Sequence, residues 1–225
     1  MARRKGVFVT GTDTGVGKTE VGRAAIALLR DRGLSVGVLK PIETGVGEAG
    51  PLDAWALREA AGVDDPIDVL CPQQFSLPAA PTVAAEDENR NVDLDAILRA
   101  YESIRADRDF VWVEGAGGLL VPATKTLLMA DLAALLELPL LLVVRASLGT
   151  INHTLLSLEA IEGRDLDCAG VVISHSAGPT SPADEKNLSA LRSQLGTKLL
   201  GELPALGPNT DPGRDWLDCE RLLGQ

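Results

Sequence analysis

The stretch that most constrains this chain is Val7–Thr19, VFVTGTDTGVGKT. An apolar run, Gly6–Thr10, opens into a turn rich in glycine and threonine, and the turn ends in Gly17-Lys18-Thr19. A helix-compatible stretch follows. This is the layout of a phosphate-binding loop. Backbone N–H groups at a helix start point at a phosphate, a lysine adds charge, and a hydroxyl is placed for Mg²⁺. The strict form of the motif has a glycine at the position of Thr12, whereas here Gly11 stands one residue earlier, giving G-x5-G-K-T.

The rest of the chain alternates between strand and helix patterns. Strands are expected at Gly6–Thr10, Ser35–Lys40, Asp109–Glu114, Leu138–Val144, Leu166–Ser174 and Lys198–Leu203. Helices are expected at Lys18–Asp31, Asp53–Ala61, Val92–Arg105, Leu127–Glu137, Ile151–Glu162 and Pro182–Leu195, the last with Ser181 as N-cap. Pro41–Pro51 reads as a glycine-rich loop. Asp64–Asn91 reads as irregular, because Pro66, Pro72, Pro78 and Pro81 forbid a long helix. Such alternation predicts one domain over residues 1–225, an α/β fold of three layers with helices on both faces of a mostly parallel sheet. Ligands of such sheets bind at the carboxyl ends of the strands. The loops Gly11–Lys18, Pro41–Gly50, Gly115–Pro122, Ala146–Thr150 and Ser174–Thr180 should therefore converge on one edge. No role emerges for Asp211–Gln225.

Composition narrows the function. Aromatics are 3% of the chain, so aliphatic side chains must fill the core, as suits buried parallel strands. The formal net charge of -11 disfavours nucleic acid and anionic membranes as partners. Cys71, Cys168 and Cys219 are far apart and form no CxxC pair, which predicts reduced thiols and a cytoplasmic protein. Arg3-Arg4-Lys5 is not a signal-peptide start, since the apolar run behind it is short and leads into the glycine loop. Leu135–Val144 is too short to span a bilayer.

Several residues carry chemistry. Lys18 would bridge nucleotide phosphates and Thr19 would ligate Mg²⁺. Lys40 ends a strand and either reaches solvent along the sheet edge or faces a charged ligand. Thr44 offers a hydroxyl or stabilises a turn. Glu114 ends an apolar strand just before Gly115-Ala116-Gly117-Gly118, where metal-binding carboxylates of phosphate-loop proteins sit. Asp53 is either a second Mg²⁺ partner or a helix N-cap. His153 and His175 lack ligand spacing for a metal. Glu86-Asp87-Glu88 reads as a solvated face, and Trp55, Trp112 and Trp216 read as packing residues.

GTDTGVGKT, KPIETG, VEGAGGLLVP and LGTINHT, in this order and spacing, closely resemble the dethiobiotin synthetase family. The resemblance runs from about Phe8 to Leu206 and includes the weaker pattern Phe75-x-x-Pro78-x-x-Pro81 with Ala84-Ala85-x-Glu. It implies a P-loop NTPase fold and an ATP-dependent cyclo-ligase. In that reaction 7,8-diaminononanoate and CO₂ or bicarbonate form a carbamate. ATP activates the carbamate as a carbamic–phosphoric anhydride, and the ureido ring then closes with release of ADP and phosphate. By resemblance, Lys40, Lys18 and Thr14 are catalytic, and Thr19, Asp53 and Glu114 hold Mg²⁺. Gly15, Val16, Gly17, Lys18, Thr19, Glu20, Asp53, Glu114, Gly115, Ala116 and Gly117 surround the nucleotide, and Ser174, His175, Pro204, Ala205 and Leu206 face its base. Thr44 and Leu148-Gly149-Thr150-Ile151-Asn152 receive the substrate; the latter segment receives the substrate's carboxylate and in the family reaches the site of the partner subunit, which implies a homodimer.

Two departures stand out. Gly15 replaces a frequent glutamate, and Ser174 replaces a frequent asparagine that reads adenine. A serine cannot make a bidentate amide contact, which leaves room for other nucleoside triphosphates. The rivals are a ParA/MinD-like positioning ATPase, which would carry a lysine where Asp13 stands, an amidotransferase-type ligase, which would need an added glutaminase domain, and a nucleotide-binding paralogue without turnover. The intact Lys18, Thr19, Lys40 and Glu114 argue against the last.

Overall fold

The computed structural model describes residues 4–176, 178–206 and 212–225; Arg3, Ala177 and Asp211 lie outside them. In chain order the described elements are β1 (Gly6–Gly11), α1 (Lys18–Asp31), β2 (Val36–Leu39), β3 (Ile42–Thr44), α2 (Leu52–Ala61), α3 (Ile67–Leu70), β4 (Gln73–Phe75), α4 (Pro81–Asp87), α5 (Leu94–Arg105), β5 (Phe110–Gly118), α6 (Met129–Leu135), β6 (Leu140–Arg145), α7 (Thr150–Glu162), β7 (Cys168–Ser174), α8 (Pro182–Leu195), β8 (Leu199–Leu203) and α9 (Cys219–Leu222).

Six strands form one sheet in the order β2-β5-β1-β6-β7-β8, and every pairing is parallel. The strand inventory explains why. β6 is LLLVVR and buried on both faces: Leu141 and Val143 join one core, while Leu142 and Val144 join the other with Leu188, Leu191 and Leu195 of α8. Period-two alternation sends successive side chains to opposite faces, so a strand this apolar needs helices on both. After β1 the chain moves outward to β2 and returns through β5; it then crosses β1 to β6, β7 and β8. The sheet thus reverses direction of growth at β1, and the phosphate loop leaves from that point.

Local signals fix the helix ends. Ser181 caps α8: its Oγ accepts from Asp184 N at 3.2 Å, and Asp184 Oδ2 accepts from Ser181 N at 2.9 Å. Pro182 and Pro81 occupy first-turn positions, where a missing N–H costs nothing.

The structure corrects the expectation for residues 41–91. β3 and β4 pair in parallel as a separate two-stranded sheet inside segments expected to be loop or irregular. The prolines there limit helix length, yet Pro66 and Pro81 also start α3 and α4. Glu88 is no mere solvated charge either: it accepts from Ser76 N at 2.7 Å and pairs with Arg90 at 2.8 Å. α9 was not anticipated. Among the described residues no helix is long and apolar enough to cross a membrane.

Candidate active site

The phosphate loop is shaped by two glycines. Gly11 ends β1 between Gly118 of β5 and Val143 of β6. A Cβ there would lie 2.7 Å from the Asp13 carbonyl oxygen and 2.8 Å from Val16 Cγ2. Gly11 therefore takes the tight position one residue ahead of Thr12, and the extra residue is absorbed without losing the turn. Gly17 caps α1 at φ 91°, and a Cβ on it would meet Ser174 Oγ and Ser176 Oγ. Val16 is buried in the core beneath the loop. Lys18 is 7% exposed and folds back to donate to the Asp13 carbonyl at 3.2 Å. Burial pushes its pKa down, against the pull of Glu114.

Register builds the neighbouring cluster. Leu39 pairs with Val113, so Lys40, just past the end of β2, stands beside Glu114 in the middle of β5. The Lys40 ammonium donates to Glu114 Oε1 at 2.6 Å and to Asp53 Oδ2 at 2.7 Å. Thr19 Oγ1 donates to the same Glu114 oxygen at 2.9 Å. Burial alone would lower the Lys40 pKa, but the two carboxylates outweigh it and raise it. Burial likewise opposes ionisation of Asp53, and Lys40 reverses the balance, so its carboxyl sits below the usual range. Asp53 is not the N-cap of α2; Pro51 holds that place, and the Asp53 carboxylate turns to Lys40 instead. Glu114 Oε2 is fully buried and has no hydrogen-bond partner among the described residues. An orphaned carboxylate oxygen beside a hydroxyl and a second carboxylate is an all-oxygen donor set suited to a hard divalent cation.

These groups share one cleft of about 990 Å³. It brings together Thr14, Gly15, Gly17, Lys18, Thr19, Glu20, Lys40, Thr44, Asp53, Glu114, Ala116 and Gly117, and its far wall is Leu52, Ala56, Pro78, Ala79, Ala80, Pro81 and Val121. Gly115 lies behind it, with the Phe8 ring where a Cβ would go. A second pocket, of about 370 Å³, collects His175, Pro204 and Ala205 with Gly178, Pro179, Thr180, Glu185 and Glu202. Ser174 does not line that pocket. It is fully buried, stands against Gly17 and accepts from Ser176 N at 3.3 Å. Leu206 packs on the core instead. Leu148–Asn152 lines neither cavity: Leu148 is 78% exposed, Gly149 caps α7, and Thr150 is buried.

Three residues were missed in the sequence. Glu43 lines the cleft and accepts from the Asp53 and Ala54 amides. Glu202 is bonded to His175 and Arg192 in the second pocket. Arg145 pairs with Asp13 at 2.6 Å and anchors the phosphate loop to the end of β6. These pairings join residues at least 10 apart in the chain, and no local motif announces them.

Known proteins extend the picture. The sequence profile of a family described as an AAA domain matches residues 5–212. The ATP-dependent dethiobiotin synthetase BioD of Anaeromyxobacter dehalogenans (strain 2CP-C) is 44% identical over 200 residues, covering 89% of this chain and 90% of that protein. The corresponding protein of Thermodesulfovibrio yellowstonii is 39% identical over 215 residues, with 90% of each covered. Among solved structures, the MinD cell division protein of Aquifex aeolicus superposes with a TM-score of 0.55 at 16% identity, over 95% of this chain and 88% of that one. MinD of Pyrococcus horikoshii OT3, in complex with Mg-ADP, gives 0.52 at 15%, over 97% and 94%. The MinD likeness shows a shared P-loop NTPase fold and nothing further. At 37–46% identity over most of the chain, the sequence relatives show more: this chain belongs to the family of ATP-dependent dethiobiotin synthetases.

Proposed function

We propose that this protein closes the ureido ring of dethiobiotin from 7,8-diaminononanoate and CO₂, converting ATP to ADP and phosphate, as a step of biotin synthesis. One amine adds to CO₂ and loses a proton, giving a carbamate. A carbamate oxygen attacks the γ-phosphorus of ATP and ADP leaves. The second amine then attacks the carbonyl carbon of the mixed anhydride, phosphate leaves with the C–O electron pair, and the nitrogen gives up its proton as the ring closes.

The observation that carries this reading is a cleft where two buried lysines face a carboxylate cluster on one sheet edge. Carbamate and transferring phosphoryl are both anions, and preorganised cations stabilise the charge they develop. Lys18 sits on the phosphate side, and Lys40 is placed for the carbamate. Thr14 and Thr44 offer hydroxyls along the same wall. Thr19, Asp53 and Glu114 would hold Mg²⁺, which supplies charge neutralisation at the triphosphate. Leu52, Pro78 and Pro81 give the alkyl chain an apolar surface. The base rests against His175, Pro204 and Ala205; among the described residues no side-chain amide lines that pocket to read adenine, which leaves the enzyme open to other nucleoside triphosphates.

The substrate carboxylate is received by Leu148–Asn152, at the N-terminus of α7. By the family resemblance this segment serves the cleft of a second copy in a homodimer, a reading supported by its lying outside both cavities of its own subunit. Leu148, just before α7, and Leu155 and Leu156 on it are exposed, and exposed apolar side chains suit a subunit contact. The thiols stay reduced in a cytoplasmic enzyme. Neither nucleic acid nor membrane takes part.

The test is direct. Purified protein is given diaminononanoate, bicarbonate, Mg²⁺ and ATP, and dethiobiotin is measured by mass spectrometry alongside ADP. Nucleotide turnover without dethiobiotin, or no turnover at all, sinks the proposal.

A further inference from the structure

Glu43 has no assigned task, yet it holds one of the best-defined positions in the cleft. It lies in β3, three residues after Lys40 and one before Thr44, and is 7% exposed. Its carboxylate spans two backbone donors at the start of α2: Oε1 accepts from Asp53 N at 3.0 Å, and Oε2 accepts from Ala54 N at 3.1 Å. First-turn amides of a helix lack internal partners. Pro51, the residue in the cap position, offers no side-chain acceptor. Glu43 therefore caps α2 from another element, and its negative charge faces the positive end of the helix dipole.

The consequence falls on Asp53. The segment Lys40–Thr44 grips it at both ends: Lys40 holds its carboxylate at 2.7 Å and Glu43 holds its amide. The Asp53 side chain comes from a helix start, where ends fray unless capped. A fixed amide sets where the Cα of Asp53 stands, and so how far its carboxylate reaches toward Thr19 and Glu114. We infer that Glu43 is a positioning residue that sets the reach of Asp53 for divalent-metal binding in the cleft. This rests on the reading of Asp53 as a metal partner given above.

The experiment compares Glu43→Ala, Glu43→Gln and Asp53→Asn with the wild-type protein. Mn²⁺ binding to the ADP-bound protein is titrated by electron paramagnetic resonance. Nucleotide affinity is measured separately in EDTA, and urea midpoints record stability. Groups that orient a metal ligand change metal affinity by about 10–100-fold when removed. Glu43→Ala should weaken Mn²⁺ about tenfold or more while metal-free nucleotide affinity stays within about twofold. Glu43→Gln should recover part of the loss, because its amide oxygen still accepts from one of the two N–H groups. The glutamine variant keeps the test informative if the alanine variant fails to fold. If Asp53→Asn weakens Mn²⁺ but the Glu43 variants lower only the urea midpoint, Glu43 is a helix cap and the inference is overturned. If Asp53→Asn leaves Mn²⁺ binding unchanged, the reading of Asp53 fails, and the inference with it.

Discussion

Replacing Lys40 with methionine removes a charge of similar length from between two carboxylates. The lysine is 4% exposed and Glu114 is fully buried, so solvent cannot take the place of the lost ammonium. At 2.6 Å and an effective dielectric of about 20, the gross Lys40–Glu114 attraction is about 6 kcal/mol. Desolvation offsets much of that in the intact pair, but not in the variant, which keeps a buried carboxylate without a counter-charge. Breaking one side of such a pair costs about 3–5 kcal/mol. For a chain of this size each kcal/mol shifts the melting temperature by roughly 2–4 °C, so Lys40→Met should melt about 6–20 °C lower. Differential scanning calorimetry in EDTA measures this directly. The pH dependence provides a second check. The Asp53 pKa is lowered in the fold, so its contribution is present above its unfolded value of about 3.9 and lost as pH falls through the depressed one. The Lys40 pKa is raised, so its contribution is complete below about 10.4 and lost as pH rises through the higher folded value. The gap between wild type and variant should therefore be widest and flat between about pH 5 and 9, and should narrow outside that window. A melting shift of 2 °C or less, or a gap that grows as acid is added, would refute the reasoning.

The other expectations are shorter. Lys40→Gln should lose turnover at least a hundredfold while nucleotide affinity changes only a few-fold, on the order expected for losing one preorganised charge at the reacting group; equal losses in steady-state rate and in equilibrium nucleotide binding would show the role to be misplaced. Gly17→Ala should cost about 1–3 kcal/mol and abolish nucleotide binding in a fluorescent-nucleotide titration, since the new methyl meets Ser174 and Ser176 at a φ of 91°. Ser174→Asn should weaken ATP, GTP and CTP alike in competition assays rather than create an adenine preference, because the larger side chain overpacks the loop behind Gly17; a selective gain for ATP would contradict this placement. Asp13→Ala should cost no more than about 1 kcal/mol, because the pair with Arg145 is half-exposed, and the deficit should fade at high salt in paired melting curves.

Much of this protein was legible in one dimension. A phosphate loop is local chemistry: Gly11, Gly17, Lys18 and Thr19 sit within nine residues, and the strand before and helix after them announce themselves by periodicity. Parallel strands such as Leu140–Arg145 must be apolar on both faces, so the layered architecture was written in composition. What the sequence could not carry was distance across the fold. The residues alone left Asp53 open between metal partner and helix cap, because Lys40, whose ammonium it meets, lies 13 residues away and reaches it only through the turn of β3. By resemblance Ser174 was placed at the base, yet it ends β7 and is buried against Gly17, outside the pocket that holds His175, Pro204 and Ala205. Glu43 fell in a segment read as a loop, and its task shows only where the start of α2 lies against it. Local propensity determines which elements form; sheet register and helix placement decide which charges meet, because those depend on packing between residues far apart in the chain.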